Sequence, residues 1–435
     1  MKILIYGLNY APELSGTGKY TAEMAQMLAE CGHEVRVVCA PPYYPEWKVG
    51  AGYAMWRYRR DVMLGVRVWR APLWVPARQS GLRRLLHLAS FAVSSLPLLA
   101  RQIPWRPDAV MLIAPTMACA PGALALARAV GAKAWLHIQD YEVDAAFDLG
   151  LLKSGVAARL AYWVERSVLK RFDVVSSISS QMVERAIGKG VDAQKTELLP
   201  NWVDTRVIFP LGRSSEYRET LGIAAHNTVV LYSGNMGAKQ GIETLAAAAA
   251  ALAAREDISF VFCGDGAARD DLVKRCEGLR NCRFLPLQPA SSLNELLNVA
   301  DIHVLPQRAD AADLVMPSKL TGMLASGRAV IAMAHPGTAL YESVENNGVV
   351  IPPEDTGALV DAIATLAIDG ARRARLGAAG RRYAETMFSP LSTQVTLDAR
   401  LAALTGGELP AARPVAPPIA DSGILQARVK ESEVE

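Results

Sequence analysis

One feature constrains this chain more than any other. Short apolar runs alternate with helical periodicity from residue 2, stop near residue 205, and then begin again. Lys2-Ile3-Leu4-Ile5-Tyr6, ending in Gly7, has the length and flanks of a buried parallel strand. A loop carrying Pro12, Gly16 and Gly18 follows, and Tyr20, Met24, Met27 and Leu28 then recur at helical spacing until Gly32. Val35 to Cys39 is the next strand, which completes a Rossmann-like βαβ unit. The alternation resumes at Asp108 to Ala114 and runs through Thr196 to Leu199. After a polar stretch at 205–226 it restarts with a strand at Thr228 to Tyr232, a loop at Gly234 to Gly241 and a helix from Ile242.

Single cores stop growing near roughly 250–300 residues, so a chain of 435 residues built from two such arrays predicts two domains. The expected fold class is α/β, with two Rossmann-like domains, 1–204 and 205–404, facing a central cleft. Three C-terminal helices belong to the second of these. Residues 405–435, rich in Pro, Ala and charge without periodicity, read as a disordered tail.

Composition then removes several function classes. The six cysteines include no C-x-x-C pair and lie near no histidine cluster, which argues against a zinc site and a disulfide framework and for a reducing compartment. The first residues do not form a secretory signal. A net charge of +3 hides an asymmetry: Tyr53 to Arg106 holds ten arginines against one acid, Asp61, so the rest of the chain is net acidic. Trp56, Trp69, Trp74 and Trp105 lie in the same segment, around an apolar run from Leu85 to Ala100. That run is shorter than the roughly 20 residues a bilayer requires. It suits a helix lying on an anionic membrane surface, or else a core helix with solvated arginines. No nucleic-acid recognition module appears.

Three loops carry candidate chemistry. Gly16-Thr17-Gly18 before a helix either binds phosphate through backbone N–H groups or simply makes a tight turn. Gly234-Asn235-Met236-Gly237-Ala238-Lys239 lets backbone approach a ligand and brings Lys239 to a helix start. In the third, Arg308 precedes Pro317-Ser318-Lys319, which opens a helix with a cation in its first turn, against the helix dipole. An anion between Lys239, Arg308 and Lys319 resolves that conflict. His137 and Asp140 stand at the carboxyl end of a predicted strand, where side chains reach a cleft; they are candidates for a catalytic role, with a hydrogen-bonded structural histidine as the other reading.

Together these motifs resemble the family-4 glycosyltransferases of the GT-B fold, over residues 1 to about 404. The carriers are the opening glycine loop with Gly32-His33-Glu34-Val35, Ser179, Pro200-Asn201-Trp202-Val203-Asp204, Ser233-Gly234-Asn235 with Lys239, Cys263-Gly264-Asp265-Gly266, and the Pro-Ser-Lys helix closing in Ala325-Ser326-Gly327. Tyr10-Ala11-Pro12-Glu13, Pro41-Pro42-Tyr43-Tyr44-Pro45 and His137 to Asp144 are similar to the colanic-acid biosynthesis glycosyltransferases of bacterial exopolysaccharide clusters. The resemblance implies a retaining transfer from a nucleoside-diphosphate sugar, such as GDP-fucose, to a polyprenyl-diphosphate-linked acceptor at the inner face of the cytoplasmic membrane. The donor is expected mainly in the second domain, at Gly234, Asn235, Lys239, Arg308, Ser318 and Lys319, with Gly16 and Gly18 contributing from the first. No cofactor and no metal are expected, and the chain has no D-x-D motif. Two glutamates that many relatives carry align here with Leu314 and Gly322, and the relatives' arginine in the second loop aligns with Asn235. A nucleotide-sugar epimerase and a non-catalytic nucleotide-sugar-binding scaffold are the alternatives.

Overall fold

The computed structural model describes residues 1–13, 16–77, 81–141, 155–237, 240–309 and 317–406. Lys239 and the 405–435 segment from residue 407 onward therefore lie outside the described residues, as do Leu314 and Asp144. The chain divides into two compact units: Met1–Pro200 together with the segment from Thr393, and Asn201–Ser392.

The first unit is built on an eight-stranded sheet. Its strands are β1 (Lys2–Gly7), β2 (Glu34–Cys39), β3 (Arg59–Met63), β4 (Val66–Arg70), β5 (Ala109–Ala114), β6 (Lys133–Ile138), β7 (Val174–Ser177) and β8 (Thr196–Leu198). The spatial order is β3-β4-β2-β1-β5-β6-β7-β8, parallel throughout except for the antiparallel β3–β4 pair. β1 is buried from Ile3 onward and β5 along its whole length, because crossover helices cover both faces. Ile3 pairs with Val35 on one side and with Ala109 on the other. The strand order reverses between β1 and β5, where ligands of open α/β sheets bind, beyond the carboxyl ends of the strands.

The second unit carries a six-stranded parallel sheet: β9 (Thr228–Ser233), β10 (Ile258–Cys263), β11 (Cys282–Leu285), β12 (Ile302–Leu305), β13 (Ala329–Met333) and β14 (Val349–Ile351). Its order, β11-β10-β9-β12-β13-β14, reverses between β9 and β12. The alanine-rich helix Ile242–Ala251 has small side chains, so it lies close over Val230, Phe260 and Phe262 in the core.

Two parts of the sequence reading differ from this structure. β3 and β4 were expected only as part of a basic, membrane-facing segment; they form a hairpin that extends the sheet beyond β2. The last helix, Pro390–Thr405, was expected with the second domain, yet from Thr393 it belongs to the first unit. Asp398 accepts from the buried His33 ring at 3.2 Å, Arg400 pairs with Glu197 at 3.6 Å, and Leu397 and Leu401 are buried. Periodicity reports that a helix has an apolar face, and it leaves open which sheet covers that face.

Candidate active site

The strongest constellation forms in the second unit, at the reversal between β9 and β12. Every residue of β9 is buried, and the strand delivers Tyr232 to its carboxyl end. The Tyr232 hydroxyl donates to the Asn235 carbonyl at 2.6 Å. Lys319, the first residue of the helix Lys319–Ala325, reaches back across the loop. Its Nζ donates to the Tyr232 hydroxyl at 3.1 Å and sits 4.4 Å from the centre of that ring. A Cβ built on Gly234 would lie 3.5 Å from Lys319 Nζ, so the ammonium stands directly beside that glycine.

This cation has no carboxylate within ion-pair distance among the described residues. Burial pushes its pKa down to about 8, because desolvation penalises the charged form and no carboxylate among the described residues offsets that penalty. The first turn of its own helix is also the positive end of that helix. A group held in this way is matched to an incoming anion.

The neighbouring loops are built for close approach. A Cβ on Gly264, at φ 142°, would lie 2.0 Å from the Gly234 carbonyl oxygen, so the turns after β9 and β10 pack backbone against backbone. The Met236 amide donates to the Asp265 carbonyl at 2.8 Å and locks the two turns together. Asn235 is exposed at the tip. Ser318 is exposed too, and its side chain makes no capping bond. Arg308 is placed differently: it pairs with Glu243 at 3.4 Å and approaches Glu354 at 3.9 Å, so carboxylates already balance its charge.

In the first unit the expected residues separate. Gly16, at φ 61°, is the first residue of the helix Gly16–Glu30. Gly18 is buried against Glu13, where a Cβ would meet Oε2 at 2.7 Å. Glu13 carried part of the resemblance in the sequence, but no role was read for it there. Its buried carboxylate accepts from the amides of Tyr43 and Tyr44 at 3.0 Å each and from Asn9 at 2.9 Å. Burial raises its pKa, and those donors partly offset the rise. It thereby ties the loop after β1 to the Pro-Pro-Tyr-Tyr-Pro loop after β2.

His137 is enclosed, at 1% exposure. Its Nδ1 lies 2.9 Å from Ser176 Oγ, which also accepts from the Trp135 indole at 2.8 Å, and Gln139 lies 2.9 Å from Nε2. Burial pushes the ring's pKa down to about 4, so it is neutral near pH 7 and links β6 to β7. Asp140 is half-buried just beyond that strand, next to the undescribed segment that begins at 142.

Residues 15–202 match the family described as Glycosyl transferase 4-like domain, and residues 213–383 match Glycosyl transferases group 1. The chain is 46% identical over 373 residues to an Escherichia coli K12 protein named as a colanic acid biosynthesis glycosyl transferase, WcaI, covering 83% of this chain and 91% of that one. Sucrose-phosphate synthase from Thermosynechococcus elongatus shares the fold at a TM-score of 0.74 and 18% identity, over 94% of this chain and all of that chain. Anabaena HepE, solved in complex with UDP and glucose, does so at 0.67 and 17%, over 93% of this chain and all of that one. Two family domains in this order, each carrying its glycine loops at the carboxyl ends of a parallel sheet, place the chain in the family-4 glycosyltransferases of the GT-B fold: it is a glycosyltransferase.

Proposed function

We propose that the protein moves a sugar, with retention of anomeric configuration, from a nucleoside-diphosphate sugar to a lipid-linked sugar acceptor in the synthesis of a colanic-acid-like exopolysaccharide. The observation that carries this is Lys319, a largely buried ammonium with no carboxylate partner among the described residues, beside Gly234 at the reversal of a parallel sheet. A diphosphate leaving group gathers negative charge as its bond to the sugar breaks, and a preorganised cation in a low-dielectric site offsets that charge. Ser318, Asn235 and the backbone around Gly234 supply further contacts, with Lys239 as an additional cation and Arg308 held back by its own carboxylates. In this reading the acceptor side lies in the first unit, with His137 in β6 and Asp140 just beyond it, and the glycine loop of Gly16 and Gly18 on a separate element. The similarity to WcaI supports the exopolysaccharide reading, and the shared fold with HepE, solved with UDP and glucose, supports a nucleotide-sugar donor.

Among the described residues no helix is long and apolar enough to cross a membrane. The helix Gly81–Ser94 nevertheless leaves Leu82, Leu85, Leu86 and Val93 exposed beside Arg83, and Leu96 and Ile103 continue the stripe. This face suits the inner surface of an anionic membrane, where a lipid-linked acceptor resides.

The test is incubation of the purified protein with labelled nucleotide sugars, GDP-fucose among them, and a bacterial lipid extract. Label should enter the lipid phase with EDTA present, and Lys319→Ala should reduce the transfer. Epimerised nucleotide sugar without transfer would identify an epimerase instead. Binding without turnover of any donor would identify a scaffold.

A further inference from the structure

A second charged constellation lies in the first unit, outside the glycine loops. A cavity of about 300 Å³ opens between Pro41, Tyr53, Arg57, Tyr58, Arg59 and Arg70. Arg70 is the last residue of β4, and Pro41 lies two residues beyond the end of the parallel strand β2. The cavity therefore sits at the carboxyl ends of parallel strands, where open α/β sheets receive ligands.

Its charge does not balance. Arg70, at 1% exposure, is fully committed: Nε donates to Asp61 at 2.8 Å, Nη1 to the Ala40 carbonyl at 2.9 Å and Nη2 to the Ala11 carbonyl at 2.5 Å. Arg59 shares the same carboxylate at 2.6 Å and spends Nη1 on the Gly52 carbonyl at 2.7 Å. Asp61 answers one of these charges. Arg57 lines the same cavity and makes no ion pair among the described residues. Three guanidinium groups stand against two carboxylates, Asp61 on Arg59 and Arg70 and, more distantly, Glu13 on Arg70, which leaves Arg57 as the surplus charge.

The aromatic walls sharpen this. The Tyr53 ring lies 4.7 Å from the Arg59 guanidinium carbon and 4.9 Å from that of Arg70. Its hydroxyl is buried and has no hydrogen-bond partner among the described residues. A buried, unsatisfied hydroxyl costs free energy that a ligand oxygen would recover. The Tyr58 hydroxyl donates to the Ser94 carbonyl at 2.8 Å, which anchors the outer wall to the helix Gly81–Ser94. A neutral sugar would need none of this surplus charge, whereas a planar guanidinium fork matches a carboxylate or a phosphate.

We propose that this cavity is an acceptor subsite for an oxyanion, the carboxylate of an acidic sugar or a phosphate of the lipid carrier, held by Arg57 and Arg59 with the Tyr53 hydroxyl. The proposal rests on the glycosyl-transfer reading above and names a chemical group its acceptor carries.

Titration calorimetry on the full chain tests it, with inorganic pyrophosphate, inorganic phosphate and glucuronate as probes. Lys319→Ala removes the cation assigned to the donor diphosphate, so anion binding that survives in this variant belongs elsewhere. Adding Arg57→Ala should weaken that surviving binding at least tenfold, and Tyr53→Phe, which keeps the ring and its packing, should weaken it by less. Circular dichroism verifies that each variant is folded. Selective loss of glucuronate binding assigns the carboxylate, and selective loss of phosphate or pyrophosphate assigns the carrier phosphate. Surviving binding that neither change alters, or no surviving binding at all, overturns the subsite. If Lys319→Ala binds pyrophosphate as the parent does while Arg57→Ala loses it, the donor assignment fails and the subsite stands.

Discussion

At the scale of single residues, Lys319 sets the clearest expectations. Replacement by Ala should cost nucleoside-diphosphate binding about 1.5–3 kcal/mol, the usual worth of a hydrogen bond to a charged group. Calorimetry at pH 7 measures it, and unchanged affinity removes the site. The pH dependence follows from the depressed pKa. Below about 8 the free protein already carries the proton, and affinity should be flat. Above it, each binding event must first take up a proton, so affinity should fall by up to about tenfold per pH unit. Stability of the free protein runs the opposite way. The folded pKa of about 8 lies below the ordinary 10.5, so the unfolded chain holds more protons between those values and stability rises across that window. A second residue-scale expectation concerns Ser176, which satisfies both Trp135 and His137. Ser176→Ala should cost about 1–3 kcal/mol in denaturant unfolding, because it strands buried polar groups. Lys319 was legible in the sequence because a cation in a helix's first turn contradicts the helix field. Glu13 and the Asp61–Arg70 pair were not: Glu13 acquires its role from two loops, and Asp61 and Arg70 from a strand hairpin, that only the folded sheet brings together.

Elements read more easily than residues. The parallel strands β1, β2 and β5 to β13 show up in the sequence as short apolar runs between glycines and helical periods, because burial between covering helices demands that composition. The β3–β4 hairpin was hidden for the opposite reason. Its alternating arginines look like a solvated patch, although Arg70 ends up fully enclosed and Trp69 lies 5.4 Å from the Arg60 guanidinium carbon. Two further outcomes belong at this scale. Gly264→Ala should force apart the turns after β9 and β10, costing about 1–3 kcal/mol of backbone strain and weakening nucleotide binding alongside it. A variant with intact affinity and melting temperature would show that the turns separate freely. On the Gly81–Ser94 helix, Leu85→Glu with Leu86→Glu should abolish sedimentation with anionic vesicles at low salt, and Arg83→Glu should weaken it by about 1 kcal/mol or more. Equal sedimentation of all variants would leave that helix with no part in membrane docking.

For the whole molecule, two arrays and a join near 205 were readable from the sequence, and the destination of the last helix was not. Leu397 is buried in the first unit, so Leu397→Ala should cost about 2–5 kcal/mol there. Hydrogen exchange would locate the loss: protection should fall in residues 1–200 and hold in 201–392. The same helix also bears on how the protein is made. A ribosome starts the first unit, translates the whole of Asn201–Ser392, and only then produces Leu397, Asp398 and Leu401, which cover the first unit's apolar surface and pair with His33. The unit begun first is thus completed last, and while the second is being synthesised the nascent first unit carries an uncovered apolar strip of the kind that chaperones bind.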